Sequence, residues 1–290
     1  MLQFQVINSV EVAGDINNAI CGNKIIDFMK KVPQFFEKAK LISPPPDQLP
    51  KNSLFQEAYC AVYPHLEIYL CCQMLCVKKE NSLEMTGIYA RLNGMGRSYA
   101  GEMKNIYFQE DSPEALLEFE TTTGRTLTFF DYSFTANREI YVGKSHAVAV
   151  IFGIATNVEL SDSSIVQNIE ITNPMVAEVM GIKVGDSISI DMGQSRTCLS
   201  RTDAKNDGYE LYEFRGKIHS IREIELSLIE ETGWVCSLDI FWNGENEQST
   251  DEDLLEIYIP QHLWQEKSAP QVGDFLMGIT TLCGFIAGVE

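Results

Sequence analysis

Ala100-Gly101-Glu102-Met103-Lys104-Asn105-Ile106 returns, in pattern, as Arg215-Gly216-Lys217-Ile218-His219-Ser220-Ile221. In both stretches glycine holds the second place and apolar residues hold the fourth and seventh. Each continues into a pair of apolar-alternating runs, 116–134 in the first and 235–259 in the second. Each then reaches a Val-Gly pair, Val142-Gly143 and Val272-Gly273, followed by an apolar run that contains glycine. A third copy, Val184-Gly185-Asp186, shows that this pair alone is only a common turn. The ordered succession is the better evidence, and it reads as an internal duplication of one β unit.

The sequence around these stretches agrees with a β-rich chain. From His65 onward, short apolar runs are broken by Gly, Asn and Asp. Strands are predicted at 66–78, 84–92, 99–108, 115–122, 125–134 and 147–155, then at 166–172, 187–192, 209–221, 226–230, 234–242, 254–259 and 275–287. So many strands with turn signals between them predict antiparallel barrels or sandwiches. Before them, Ile20, Ile25, Ile26, Phe28 and Met29 share a helical face, with Lys24, Lys30 and Lys31 around it. Pro33 is expected to open a second short helix, and Ser43-Pro44-Pro45-Pro46 to form an extended connector. A further helix is expected over 54–62.

The predicted class is therefore mainly β, α+β overall. A helical N-terminal segment with its Pro-rich connector covers 1–64, and a first β-rich domain covers 65–160. A β-containing connector covers 161–206, and a second β-rich domain covers 207–290. The succession in each copy resembles an OB-fold in outline. A glycine in the long first strand lets it bend and serve both halves of a small barrel, and a glycine-led strand comes late. That resemblance implies binding surfaces rather than a reaction.

Charge is distributed unevenly along the chain. The first fifty residues hold five acidic and five basic side chains. From Asp207 to the end there are seventeen acidic and four basic ones, most of the net −19. Between Glu223 and Glu256 stand eleven carboxylates and no Lys or Arg. Such a surface repels itself and attracts cationic partners. It also argues against phosphate-backbone binding, which relies on Lys and Arg. Charges on the solvent face of an edge strand, where they discourage aggregation, are the plainer reading of Glu223, Glu225, Glu230 and Glu231.

No catalytic constellation is legible. Gly94-Met95-Gly96 lacks the third glycine of a dinucleotide loop, since Tyr99 stands there, and it reads as a hairpin turn. The run from Asp203 to Gly208 outlines a calcium loop but places Lys205 and Phe214 at ligand positions. No Gly-x-Ser-x-Gly, His-Glu-x-x-His or Walker sequence occurs. His146 is expected at a strand start and His219 within a strand. Eight cysteines without a Cys-x-x-Cys read as reduced thiols, several of them buried, so no metal or cofactor is expected. The N-terminal residues show no signal-like segment, and the apolar run 275–289 is too short for a membrane helix. A cytoplasmic location is the resulting expectation, with no membrane partner.

These observations predict a non-enzymatic interaction module that binds a basic protein through an acidic C-terminal face, with inhibition or neutralisation of the immunity type as the form such binding can take. The expected partner-binding residues are Glu230, Glu231, Trp242, Glu245, Glu247, Asp251, Glu252, Asp253 and Glu256. The alternative is an enzyme or small-molecule binder with a site between the two β domains. A third reading is single-stranded nucleic-acid binding through Tyr107, Phe108, Phe129, Phe130 and Tyr132, with Arg91, Arg97, Lys104 and Arg125 as its cations.

Overall fold

A computed structural model of the chain describes residues 3–6, 13–42, 58–64, 69–79, 82–108, 115–131, 134, 141, 146–161, 166–191, 197–202, 211–241 and 251–289. Those residues are mainly β. Helices α1 (Ala13–Cys21) and α2 (Ile25–Lys38) precede a four-stranded antiparallel meander. Its strands are β2 (Lys40–Ile42), β3 (Ala58–Tyr63), β4 (Leu70–Lys79) and β5 (Ser82–Leu92). The remaining strands, apart from one small pair, join a single ten-stranded sheet.

That sheet closes on itself twice. Strands β6 (Arg97–Phe108), β7 (Ala115–Thr121) and β8 (Thr126–Asp131) follow one another as antiparallel neighbours. Strand β8 meets β16 (Phe275–Val289) in parallel, β16 pairs with β9 (His146–Ser161), and β9 returns to β6. The second ring starts from β13 (Leu211–Leu226), β14 (Glu231–Asp239) and β15 (Leu254–Pro260). Strand β15 meets β9 in parallel, and β16 returns to β13. Both rings therefore use the same β9–β16 ladder, and segments 65–160 and 207–290 contribute strands to one continuous sheet.

Each shared strand changes neighbour partway along. Strand β9 pairs with β6 through His146–Ile151 and then with β15 through Phe152–Ile154. Strand β16 pairs with β13 up to Thr281 and then with β8 at Cys283 and Gly284. The first strand of each ring turns a corner at the glycine of the sequence repeat. At Gly101, β6 passes from β9 to β7; at Gly216 and Lys217, β13 passes from β16 to β14. A Cβ on Gly101 would stand 2.2 Å from Glu120 O, and one on Gly216 would stand 2.9 Å from the Ile240 side chain. Just beyond each glycine lies a β-bulge, between Met103 and Asn105 in β6 and between Ile218 and Ser220 in β13. A bulge bends its strand and increases the local twist, as a tightly curved sheet requires.

The ring residues pack into one apolar cluster that includes Met103, Phe119 and Phe129 of the first ring and Phe214, Leu238 and Ile257 of the second. A second cluster gathers the helices, the meander and the other face of the sheet, including Phe130, Phe152 and Cys283. Phe28, Val32 and Phe35 form the buried stripe of α2, and the Phe35 ring stacks on Tyr63 of β3 at 5.2 Å. Asn17 anchors α1 to β5: its amide donates to Ile88 O at 2.7 Å and accepts from Ala90 N at 2.6 Å. A side chain thus completes a strand edge in place of a backbone, which satisfies a buried amide. The small pair, β10 (Val166–Glu170) with β11 (Ser187–Asp191), encloses helix α3 (Pro174–Met180), capped by Asn173 and by Gly181 at φ 67°.

Several expectations need correction. Residues 58–63 form strand β3 rather than part of a helix over 54–62, because that short apolar run is buried against the meander and α2. Pro33 lies inside α2 rather than at the start of a new helix, which forgoes one backbone hydrogen bond. Strands predicted at 209–221 and 226–230 are the single strand β13 and the turn after it. Gly94 to Gly96 is not a hairpin turn, since β5 belongs to the meander and β6 to the ten-stranded sheet. The connector at 43–46 and the calcium-like run at 203–208 lie outside the described residues.

The corner geometry makes a testable prediction. Gly101→Ala should lower unfolding free energy by about 2 kcal/mol, an overpacking cost, in urea titration. Gly288→Ala, whose Cβ would meet nothing within 4 Å, should leave it unchanged.

Candidate functional site

Of the nine expected partner-binding residues, Trp242, Glu245 and Glu247 lie outside the described residues. The other six divide into three groups by what surrounds them. Asp251, Asp253 and Glu256, on the one-turn 3-10 segment before β15 and on β15 itself, face arginines. Arg97 of β6 reaches Asp251 at 3.1 Å and also donates to Ser237 Oγ at 3.0 Å. Arg125, in the β7–β8 turn, pairs with Asp253 at 2.9 Å and donates to Glu252 O and Phe241 O. Its guanidinium also lies over the Phe241 ring, 4.7 Å from the centroid. Glu256 accepts from Gly96 N at 2.8 Å and from Arg222 at 3.2 Å. These carboxylates tie the first ring to the second.

Glu231, half-buried at the start of β14, faces a packed corner. Burial pushes the Cys21 thiol up to about 12, and the Glu231 charge adds to that effect. The Tyr258 hydroxyl is raised by the same two causes in the same order. Burial draws the neighbouring His262 imidazole below its usual value, and Glu231 opposes it. The imidazole of His262 covers Gly22, so that a Cβ there would approach it to 2.8 Å. A thiol held protonated at neutral pH is a poor nucleophile, so this corner is structural packing.

Glu230 and Glu252 form the third group. Both are exposed and make no ion pair with a described residue. Glu230 sits in the β13–β14 turn with φ 55°, a left-handed conformation that glycine adopts more easily. Glu223 and Glu225 on β13 are exposed in the same way, on the solvent face expected of an edge strand. Glu223 stands directly opposite Trp234 in the β13–β14 ladder, so the two side chains share a face. Trp234 packs edge-on against Trp264, with ring centroids 6.0 Å apart.

Groups suited to other chemistry lie apart from these carboxylates. A cavity of about 410 Å³ opens between α1 and the second ring, lined by Asn18, Thr156, Thr202, Leu211, Leu263 and Ile279. Its threonine hydroxyls donate to Ile279 O and Leu211 O, and none of these lining residues is titratable. The buried Asp131 accepts from the Tyr141 hydroxyl inside the first ring, and both are closed to solvent. His146 starts β9, and His219 occupies the β13 bulge with its Nδ1 3.9 Å from Asp239. Among the described residues no cluster of His, Cys, Asp or Glu could hold a metal ion. No helix there is long and apolar enough to cross a membrane.

The nucleic-acid reading names groups of several kinds, and the Phe108 side chain is not among the described ones. Phe129 and Phe130 are buried, Tyr107 donates to Glu118, and Tyr132 lies outside the described residues. Arg91 donates to Gln73, Lys104 lies between Glu102 and Glu120, and Arg97 and Arg125 serve the carboxylates above. Comparison with protein-family models, with curated proteins and with solved structures finds no match for this chain.

Within the arginine-paired group, the sequestered and the exposed carboxylate should separate in a stability measurement. Asp253→Asn, at a half-sequestered and multiply bonded guanidinium, should cost about 1–2 kcal/mol by urea unfolding. Asp251→Asn, whose side chain is 90% exposed, should change stability by no more than about 0.5 kcal/mol.

Proposed function

We propose that the protein acts by binding, and that its partner is a basic protein, which the complex inhibits or neutralises. One observation carries this reading. After arginines have taken up Asp251, Asp253 and Glu256, the glutamates at 223, 225, 230 and 252 remain exposed, with no cation paired to them among the described residues. They belong to a stretch with no Lys or Arg of its own. Uncompensated like charge held on a rigid hairpin costs stability and speeds encounter with a positive surface. The backbone at Glu230 agrees: a side chain is kept there where glycine would be less strained.

The fold supports the same reading. The strand order, corner glycine and bulge of the first ring recur in the second, which favours two OB-like barrels derived from one duplicated unit. Barrels of that kind commonly serve as binding platforms. We read the partner as a cytoplasmic protein. The cavity beside α1 has no ionisable side chain among its described lining residues, and it favours a catalytic reading less.

The test is capture from native host lysate at low and at moderate salt, followed by association kinetics on the captured protein. One basic protein should be retained and then released by salt. Glu230→Lys with Glu252→Lys should slow its association about tenfold with the fold unchanged. Salt-independent capture, or association that the double reversal leaves untouched, would overturn the proposal.

A further inference from the structure

We infer that the partner is held as an added strand: an extended basic segment pairs with the open outer edge of β13 over 219–226. This rests on the reading of a basic partner and specifies how it docks. Strands β6 and β13 hold the same place in the two rings. Each leaves the shared ladder at its glycine, bulges, and then runs beside its own hairpin partner. Beyond that corner the outer edge of β6 is closed by β1 (Gln3–Val6), which pairs in parallel from Gln3↔Asn105 to Val6↔Phe108.

The equivalent edge of β13 is open among the described residues. Its ladder to β16 ends at Lys217↔Phe275. The last backbone bonds on that side are Ile218 N to Asp274 O and Gly273 N to Ile218 O. From His219 to Leu226, none of the described residues takes the edge up again. The positions that correspond to the seat of β1 are Ser220, Ile221, Arg222 and Glu223. An unfilled row of amides and carbonyls on a well-formed strand is a template for strand addition.

The chemistry of the two faces specifies the segment. Glu223 and Glu225 are exposed and share one face of β13, backed by Trp234 and Trp264. Ile224 and Leu226 occupy the other face and are buried in the cluster that contains α2, and Arg222, exposed and paired with Glu256, precedes them on that same face. Side chains of an added strand alternate between faces, and directly opposed residues lie within about 5 Å of each other. Cationic residues two apart, separated by an apolar one, therefore match this edge. A run of adjacent cations would place every second charge over Arg222, Ile224 and Leu226, against a like charge and buried apolar side chains.

The probes are two labelled peptides of equal composition, one alternating lysine and valine, the other with the lysines and valines in separate blocks. Binding is read by fluorescence anisotropy and by amide hydrogen exchange of the full chain. The alternating peptide should bind about tenfold more tightly, slow exchange across 219–226, and lose that advantage in Glu223→Gln/Glu225→Gln. Equal affinity of the two peptides with unchanged exchange would overturn strand addition while leaving the basic-partner reading in place. A captured native partner that leaves these amides exchanging would do the same. Failure of both peptides together with no basic protein in the lysate capture would overturn both.

Discussion

The ladder between β9 and β16 is the constraint on which the rest of the structure depends. It runs from Ser161↔Phe275 to Ala147↔Val289, longer than either ring needs for itself. Each strand has one side occupied by the other along its length, and it shares its free side between the two rings. Closure in this way leaves few exposed edges, the usual hazard of a large antiparallel sheet. It also explains why the apolar cluster of the ring residues is continuous across both halves of the chain. One consequence is an exception: where β13 runs past the end of β16, its outer edge has no described neighbour.

Against that frame the acidic half reads as two populations rather than one surface. The carboxylates nearest the first ring are drawn to Arg97, Arg125 and Arg222, and they act as fasteners between the rings. The carboxylates farther out, on β13 and its turn, are exposed and have no cation paired to them among the described residues. Both stretches are dense in carboxylates, four within 223–231 and four within 251–256. What separates them is the reach of three guanidiniums, two of which come from the other ring. Stability and the proposed binding therefore draw on neighbouring members of one charge run.

Much of the fold was legible in the sequence, and the reason lies in local signals. Period-two alternation and turn residues placed most strands within a few positions, and the Gly101 and Gly216 stretches marked the two corners. What could not be read was which strands meet. Nothing local in 275–289 says that its first half belongs with β13 and its second with β8. The run 58–63 was ambiguous because a short buried apolar stretch fits either period, and Pro33 was read as a boundary although the helix continues through it. For the candidate site, the charge and the Trp residues were visible, whereas the sorting of carboxylates required Arg97 and Arg125, each more than a hundred residues from its partner. Glu223 and Glu225 were passed over because an edge-strand face and a recognition face have the same composition.

The most direct test of this account is to produce 1–206 and 207–290 as separate chains, alone and together, and to record their near-ultraviolet circular dichroism and amide exchange. If each ring is completed by the other half's long strand, neither piece holds fixed packing alone, and the two together regain the signature of the intact chain. A 207–290 fragment that folds cooperatively without β9 would contradict the shared ladder as the organising element.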